Sequence, residues 1–195
     1  VGHHYRGSVT PILPSVHPMY DQILFPTDGS EPVESVLEYA LQIASEHEAT
    51  IHVLNVVDTS QDSPPRVQEG VSDALEQDGT EIVNEAAQRA TEYGIDVVSE
   101  GLHGDPYEAI VEYSTQSGIE LIAMPTHGRR GLQRFLLGSV TERVINTADV
   151  PVIAVNPGTQ PLTYPCQELL VPTDGSRGSE LAVSEGVALA NATGA

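Results

Sequence analysis

The sequence predicts an α/β fold with a five-stranded parallel sheet and helices on both faces. Two observations carry this prediction. Short apolar segments alternate with segments whose apolar residues recur at helical spacing, and this alternation is typical of β-α-β units. The short segments are also apolar at nearly every position, which indicates strands that are buried on both faces of the sheet.

The elements follow one another in chain order. Strands are predicted over residues 23–25, 51–57, 95–98, 121–124 and 151–155, and helices from Ser30 onward, over 68–93, over 105–117 and over 139–148. The first helix has the clearest pattern, because its apolar residues share one face. They are Val33, Val36, Leu37, Ala40, Leu41 and Ala44. Ser30 followed by Pro32 is typical of a helix start.

Proline spacing and composition divide the chain. Residues 1–18 carry three prolines and no periodicity, so we expect a disordered extension there. Residues 19–156 form one complete domain, and 157–166 read as a linker. We hypothesise that Met19 is the true start of the protein. Mass spectrometry of the native N-terminus tests this, and peptides from residues 1–18 would contradict it.

An internal repeat follows the linker. Leu169–Ser176 repeats Ile23–Ser30, and Pro-Thr-Asp-Gly-Ser is identical in both copies. Residues 167–195 are therefore predicted to be the truncated start of a second domain, a strand followed by a helix. One strand and one helix bury too little surface to fold alone. The tail thus belongs to a longer tandem protein, or it docks on the first domain or on a partner.

The charge balance excludes several mechanisms. The net charge is -20, all eight basic residues are Arg, and there is no Lys. A P-loop, a kinase-type ATP lysine and Schiff-base chemistry are excluded, because each requires a lysine. An acidic, lysine-free chain is typical of a cytoplasmic protein of an extreme halophile and argues against general nucleic-acid binding. No apolar run is long enough to predict a membrane span.

Positive charge is concentrated at one place in the sequence. Four of the eight arginines lie at positions 129, 130, 134 and 143, around the start of the helix predicted at Ser139. In one reading, Ser139 and Glu142 form a capping box that only closes the helix start. In the other, the amides and dipole of that helix start bind an anion, and Gly138 lets a phosphate approach the backbone. The arginine enrichment favours the anion site.

Three predicted strand ends supply a candidate crevice. Asp28, Val57 and Thr126 each follow a strand, and ligands of parallel sheets bind outside the carboxyl ends of the strands. Asp28 is either a turn former or an acceptor for a ribose hydroxyl or a base amine. The seven histidines lack metal-ligand spacing, and no nucleophile with its base is recognisable, so neither a protein metal site nor catalysis is predicted.

These residues resemble the universal stress proteins. The matching features are Pro26-Thr27-Asp28-Gly29-Ser30, Val56-Val57-Asp58, and the loop from Met124 to Thr141. ATP-binding members of that family carry Gly-x-x-Gly, nine residues, then Gly-Ser or Gly-Thr. Gly128, the nine residues that follow it and Gly138-Ser139 match this pattern. Pro125 stands where the family has the first glycine.

The resemblance implies a Rossmann-like fold of the adenine nucleotide α-hydrolase-like type. It also implies homodimers paired through Val152–Val155 and ATP in the crevice, often with a divalent ion such as Mg²⁺ or Mn²⁺. Asp28 and the Val56 backbone would hold adenine and ribose, and Met124 to Arg130 would line the nucleotide. The phosphates would be held by Gly138, Ser139, Val140 and Thr141. The implied nucleotide-binding residues are Pro26, Thr27, Asp28, Val56, Met124, Pro125, Thr126, His127, Gly128, Arg129, Arg130, Gly131, Gly138, Ser139, Val140 and Thr141.

The predicted function is an ATP-binding stress-response or regulatory module, not a dedicated enzyme. An alternative of a different class is a nucleotide-independent dimeric scaffold that binds a transporter or a regulator. Binding to a partner that is indifferent to ATP and to substitution of Ser139 would favour the scaffold. Slow ATP hydrolysis or phosphate transfer is a third hypothesis, which a turnover assay with metal would test.

Overall fold

The computed structural model describes residues 19–30, 33–59, 69–127, 137–158 and 162–195. Its strands within these ranges are β1 (Gln22–Pro26), β2 (Thr50–Asp58), β3 (Val97–Gly104), β4 (Leu121–Pro125) and β5 (Val152–Val155). They form one five-stranded parallel sheet in the order β3-β2-β1-β4-β5. The predicted fold class is confirmed. The chain adds β2 and β3 on one side of β1 and then crosses to add β4 and β5 on the other side.

Helices cover both faces of this sheet. They are α1 (Glu34–His47), α2 (Glu69–Glu92), α3 (Pro106–Gln116) and α4 (Ser139–Thr147). A further helix, α5 (Arg177–Thr193), has no buried side chain in the described residues. One apolar cluster joins α1 and α2 to Ile23 and Phe25, and a second joins α3 and α4 to Leu24 and Ile122. Alternate residues of β1 therefore belong to opposite cores. In the part of the chain that the structure describes, no helix is both long and apolar enough to cross a membrane.

The predicted apolar face of α1 is confirmed, but its start is not at Ser30. Val33 is the N-cap and the helix begins at Glu34, while the Ser30 carbonyl accepts a hydrogen bond from the Val33 amide at 2.9 Å. All six predicted apolar positions of this helix are buried. Ser30 instead completes the preceding turn, because its amide and hydroxyl bond to Asp28.

The third strand lies later in the chain than predicted. Residues 95–98 were expected to form it, whereas β3 spans Val97–Gly104. Ile95 follows α2, and its amide bonds to the Ala90 carbonyl of that helix at 3.1 Å. β3 is an edge strand that pairs only with β2, so most of its side chains are exposed. The polar sequence of β3 carries no apolar strand pattern, so only its backbone hydrogen bonds with β2 identify it as a strand.

The segment after β5 returns to the α1 face. Leu162 and Tyr164 pack against the core cluster on that face, and the Tyr164 amide donates to Gln42 Oε1 at 2.9 Å. The Tyr164 hydroxyl lies 2.6 Å from His47 Nε2, and His47 Nδ1 accepts from the Met19 amide at 3.2 Å. One buried histidine therefore joins the chain before β1 to the chain after β5.

The second copy of the repeat forms its helix without its strand. α5 corresponds to the predicted helix, but residues 169–171, expected to be a strand, make no ladder in the described residues. Leu170 is 89% exposed, whereas its counterpart Leu24 is fully buried. A strand exists only with a hydrogen-bonded neighbour, and this copy lies outside the sheet.

His47 makes the attachment of Tyr164 sensitive to pH. Burial lowers the pKa of His47 below its ordinary value, so the folded state binds its proton less readily than the unfolded state does. As the pH falls through about 6.5, the unfolded pKa, the free energy of unfolding should therefore decrease. His47→Gln preserves an acceptor and a donor but does not titrate. Denaturant unfolding between about pH 7.5 and 5.5 should show the wild type losing stability relative to this variant; parallel curves would contradict the prediction.

Candidate functional site

A crevice opens where β1 and β4 separate. The two strands pair only at Ile23 with Leu121 and at Leu24 with Ile122. Beyond that point β1 stays with β2, since the Thr27 amide donates to Leu54 O at 2.9 Å, and β4 stays with β5, since the Thr126 amide donates to Val155 O at 2.8 Å. The carboxyl ends of the two central strands thus diverge, and crevices of this kind bind ligands in parallel sheets.

The turn after β1, residues 27–30, is held by its own polar groups. The Gly29 amide donates to Thr27 Oγ1 at 3.1 Å, and the Ser30 amide donates to Asp28 Oδ1 at 3.0 Å. Gly29 has a φ of 69°, a conformation that glycine adopts without strain. Asp28 is therefore a turn former, as one reading of the motif predicted. It is also half-buried and follows the carboxyl end of β1, as the ligand-binding reading requires.

Three residues that sequence reasoning missed attach this turn to β2 and α2. Asn55, 6% exposed, donates from Nδ2 to the Thr27 carbonyl at 2.8 Å. Gly79 of α2 packs so closely on this amide that a Cβ there would lie 2.9 Å from Asn55 Oδ1. Ile82 of α2 packs on Gly29. The available signals were a polar residue inside an apolar strand and a glycine inside a helix, both unfavourable without a packing reason.

Gly138, not Ser139, is the N-cap of α4. Within the described residues no side chain caps this helix, so the capping-box reading of Ser139 and Glu142 is wrong. The helix begins at Ser139, as predicted, and this residue is therefore not the N-cap. The first intrahelical bond runs from the Glu142 amide to Gly138 O at 2.9 Å. The amides of residues 139–141 precede that ladder and form the positive end of the helix dipole.

α4 is seated directly against the end of β4. The Gly138 amide donates to Thr126 O at 2.7 Å, and a Cβ on Gly138 would lie 3.1 Å from that oxygen. Thr141, 4% exposed, donates its hydroxyl to Pro125 O at 2.9 Å. The Thr141 side chain therefore anchors the helix, and Thr141 can contribute to an anion site through its amide. Met124 is likewise buried in the core.

Arg143 does not support the anion site. Its guanidinium donates to Asp105 Oδ2 at 3.1 Å and lies 3.2 Å from the centroid of the Tyr107 ring. Both partners stand at the start of α3, and Arg143 occupies the α4 face that packs on that helix. The other predicted loop positions, Gly128, Arg129, Arg130, Gly131 and Arg134, lie outside the described residues.

The remaining predicted positions lie at the end of β1, in β2 and at the start of α4. Pro26 ends β1 and is buried, while Thr27 and Val140 are half-buried. Because residues of a parallel strand alternate in direction, the Val56 amide and carbonyl lie on the same side of β2 as those of Leu54, which is the side of β1. β1 has ended at that level, since its last pair is Pro26 with Leu54. The Val56 backbone therefore faces the crevice.

Imidazole and carboxylate groups do not converge on a metal site. Thr126 Oγ1 lies 3.0 Å from His127 Nδ1, and His52 is held by Tyr113 and Gln22. Across the described ranges, no three His, Cys, Asp or Glu side chains are grouped as metal ligands. The crevice thus offers backbone amides and carbonyls and the polar groups of one turn, which suit a neutral heterocycle with an anionic tail.

A cavity of about 420 Å³ lies elsewhere, between α1 and α2. Its floor includes Phe25 and Leu37, and its rim includes Glu34, Glu85 and Arg89. It shares Thr27, Gly29 and Ser30 with the turn, but none of the amides at the start of α4 line it. The candidate site is therefore the crevice with its polar groups, and not this cavity.

Comparison with known proteins identifies the family and the fold. The sequence model described as the universal stress protein family matches residues 19–156. Universal stress protein MJ0531 of Methanocaldococcus jannaschii is 38% identical over 144 residues, which span 70% of this chain and 82% of that protein. A universal stress protein structure from Archaeoglobus fulgidus has 26% identity and a TM-score of 0.68 over 89% of this chain and 64% of that one.

A further solved structure shares the fold. It is a universal stress protein from Archaeoglobus fulgidus in complex with dAMP, with 22% identity and a TM-score of 0.54. The match covers 69% of this chain and 97% of that one. At this identity the likeness concerns the arrangement of strands and helices and not individual side chains.

Proposed function

This chain belongs to the universal stress protein family, and from that membership we propose that it binds ATP as a stress-response or regulatory module. The observation that carries the proposal is the start of α4. A glycine N-cap, with no capping side chain among the described residues, presents the amides of residues 139–141 beside the carboxyl end of β4. Helix starts of this kind bind phosphate through backbone amides and the helix dipole, and they need no lysine.

The nucleoside half of the ligand would occupy the other wall of the crevice. The turn at residues 27–30 and the Val56 backbone offer acceptors and donors to a base and a ribose, as an adenine nucleotide requires. An accompanying Mg²⁺ or Mn²⁺ would be bound by phosphate oxygens and water, as Mg²⁺ usually is. We propose binding without dedicated turnover, in the cytoplasm.

Ser139 allows the role of the backbone amide to be separated from that of the side chain. Ser139→Pro removes one amide at the first helical position, which proline occupies readily. The preceding Gly138, with φ -65° and ψ 147°, suits a residue before proline. ATP affinity measured by calorimetry should fall about tenfold, the value of one charge-assisted hydrogen bond. Ser139→Ala preserves the amide and should retain most of the affinity.

The same titrations separate the proposal from its alternatives. Each titration is done at low and at high salt, so that a chain that needs salt to fold is also measured in its folded state. Equal affinities for Ser139→Pro and Ser139→Ala would refute the amide site. A wild-type chain with no saturable ATP binding at any salt concentration would refute the proposed function and leave the nucleotide-independent scaffold. Release of phosphate in the presence of Mg²⁺ would contradict the absence of turnover.

We propose further that the chain forms homodimers through Val152–Val155. β5 is at one edge of the sheet, and three of its four residues are half-exposed. Such an edge can pair with the same strand of another copy. Pro151 O and Val155 O face β4, since they accept bonds from Ile122 and Thr126. By alternation, the amides of Val152 and Ala154 face away from the sheet.

Ala154→Pro should separate dimerisation from folding. Proline at this position removes an outward amide and no bond to β4, and edge strands tolerate proline on that side. Sedimentation analysis should show a shift from dimer to monomer with an unchanged circular dichroism spectrum. Ala154→Ser, which preserves the amide, is the matched control. A dimer fraction that is the same in all three chains would contradict pairing through β5.

Residues 167–195 are proposed to be the opening β-α unit of a second domain. The Archaeoglobus match over 89% of this chain supports this, because residues 1–156 make up only 80% of 195 positions and the match must continue beyond them. Within the described residues no side chain of α5 is buried. Its amides should therefore exchange hydrogen far faster than those of α1; equal protection of both helices would indicate a completed core and contradict this picture.

A further inference from the structure

The turn at residues 27–30 is built twice in this chain. In the second copy, the Gly175 amide donates to Thr173 Oγ1 at 3.2 Å and the Ser176 amide donates to Asp174 Oδ1 at 2.9 Å. The glycine φ is 76°, against 69° in the first copy. The same local bonds therefore form in both places, although residues 172–178 are exposed. Turn formation requires only the local sequence.

The first copy differs by its attachment. Thr27 is clamped to β2 at both ends of its backbone, because its amide donates to Leu54 O at 2.9 Å and its carbonyl accepts from Asn55 Nδ2 at 2.8 Å. The first bond continues the sheet ladder. The second is made by a side chain, beyond the last paired residue of β1, and it determines the direction in which the chain leaves the strand.

Asn55 carries a cost that this contact offsets. It is 6% exposed between the apolar residues Leu54 and Val56 of β2, and a buried amide is unfavourable unless it is hydrogen-bonded. α2 leaves room for the Asn55 side chain because position 79 is a glycine. The Cβ of any other residue there would lie 2.9 Å from Asn55 Oδ1. Glycine inside a helix is itself unfavourable. Asn55 in the strand and Gly79 in the helix each destabilise their own element, and they meet at the amide that donates to the Thr27 carbonyl.

We propose that Asn55 is a positioning residue, which holds the turn at residues 27–30 so that Asp28 faces the nucleoside half of the bound nucleotide. This assignment rests on the proposed nucleotide site and deepens it. Asn55 does not touch the phosphates, because their proposed site at the start of α4 is on the opposite wall, beyond β4. Its removal should therefore weaken recognition of adenosine and spare recognition of phosphate.

The test compares two ligands on one variant. Asn55→Leu preserves the approximate shape of the side chain and removes the donor. Affinity for ATP should fall about tenfold, as for the loss of one well-placed hydrogen bond, while affinity for inorganic tripolyphosphate should change less than about twofold. Ser139→Pro is the reciprocal control, because it should weaken both ligands. Thermal unfolding of each variant confirms that a folded chain is titrated.

A second variant covers the case in which Asn55→Leu does not fold. Asn55→Asp carries a carboxylate that repels the Thr27 carbonyl at about pH 8 but, once protonated near about pH 5, can donate to it. Affinity for ATP relative to the wild type should therefore be low at the higher pH and recover at the lower one. A purely steric role for Asn55 predicts no such recovery, since the two side chains have nearly the same shape.

The outcomes distinguish this assignment from the function on which it rests. A wild type that binds neither ligand refutes the proposed nucleotide site, and with it this role. A wild type that binds both, with variants that match it, refutes the role of Asn55 alone. An equal loss of ATP and tripolyphosphate binding in Asn55→Leu also overturns it, because that result indicates general damage and not a misplaced turn.

Discussion

The pairing of β1 with β2 on one side and with β4 on the other is the constraint on which the rest of the structure depends. It places α1 and α2 on one face and α3 and α4 on the other, with alternate residues of β1 in each core. It also creates the crevice. β1 and β4 part after Leu24 and Ile122, so the chain leaves each strand towards a different neighbour, and the space between them remains lined by backbone polar groups.

The chemistry of the crevice follows from what this chain lacks. With no lysine and a net charge of -20, an anion is best held by groups whose charge is built into the backbone. The start of α4 supplies such groups, because its N-cap is a glycine and, in the part of the chain that the structure describes, no side chain caps it. Arg143 is engaged with Asp105 and Tyr107. The helix start, rather than that arginine, is therefore the positive element described at the site.

The two copies of Pro-Thr-Asp-Gly-Ser separate local from tertiary determinants. Both form the same turn and both are followed by a helix. Only the first is preceded by a strand, and only there is the apolar surface covered: Leu41 is fully buried, whereas its counterpart Val187 is 55% exposed. The shared residues thus form the same two turn bonds in both copies, while burial and strand formation require partners from distant parts of the chain.

By itself, the sequence determined the fold class, the buried face of α1, the turn at residues 27–30 and most strand positions. These depend on residues a few positions apart, whose periodicity and hydrogen bonds are legible in one dimension. Only the tertiary structure decided the strand order, the extent of the polar edge strand β3 and Gly138 as the N-cap. It also decided the bond from Asn55 to Thr27, 28 residues apart. Such features depend on contacts between residues that are far apart in the sequence, and a local sequence pattern does not specify those contacts.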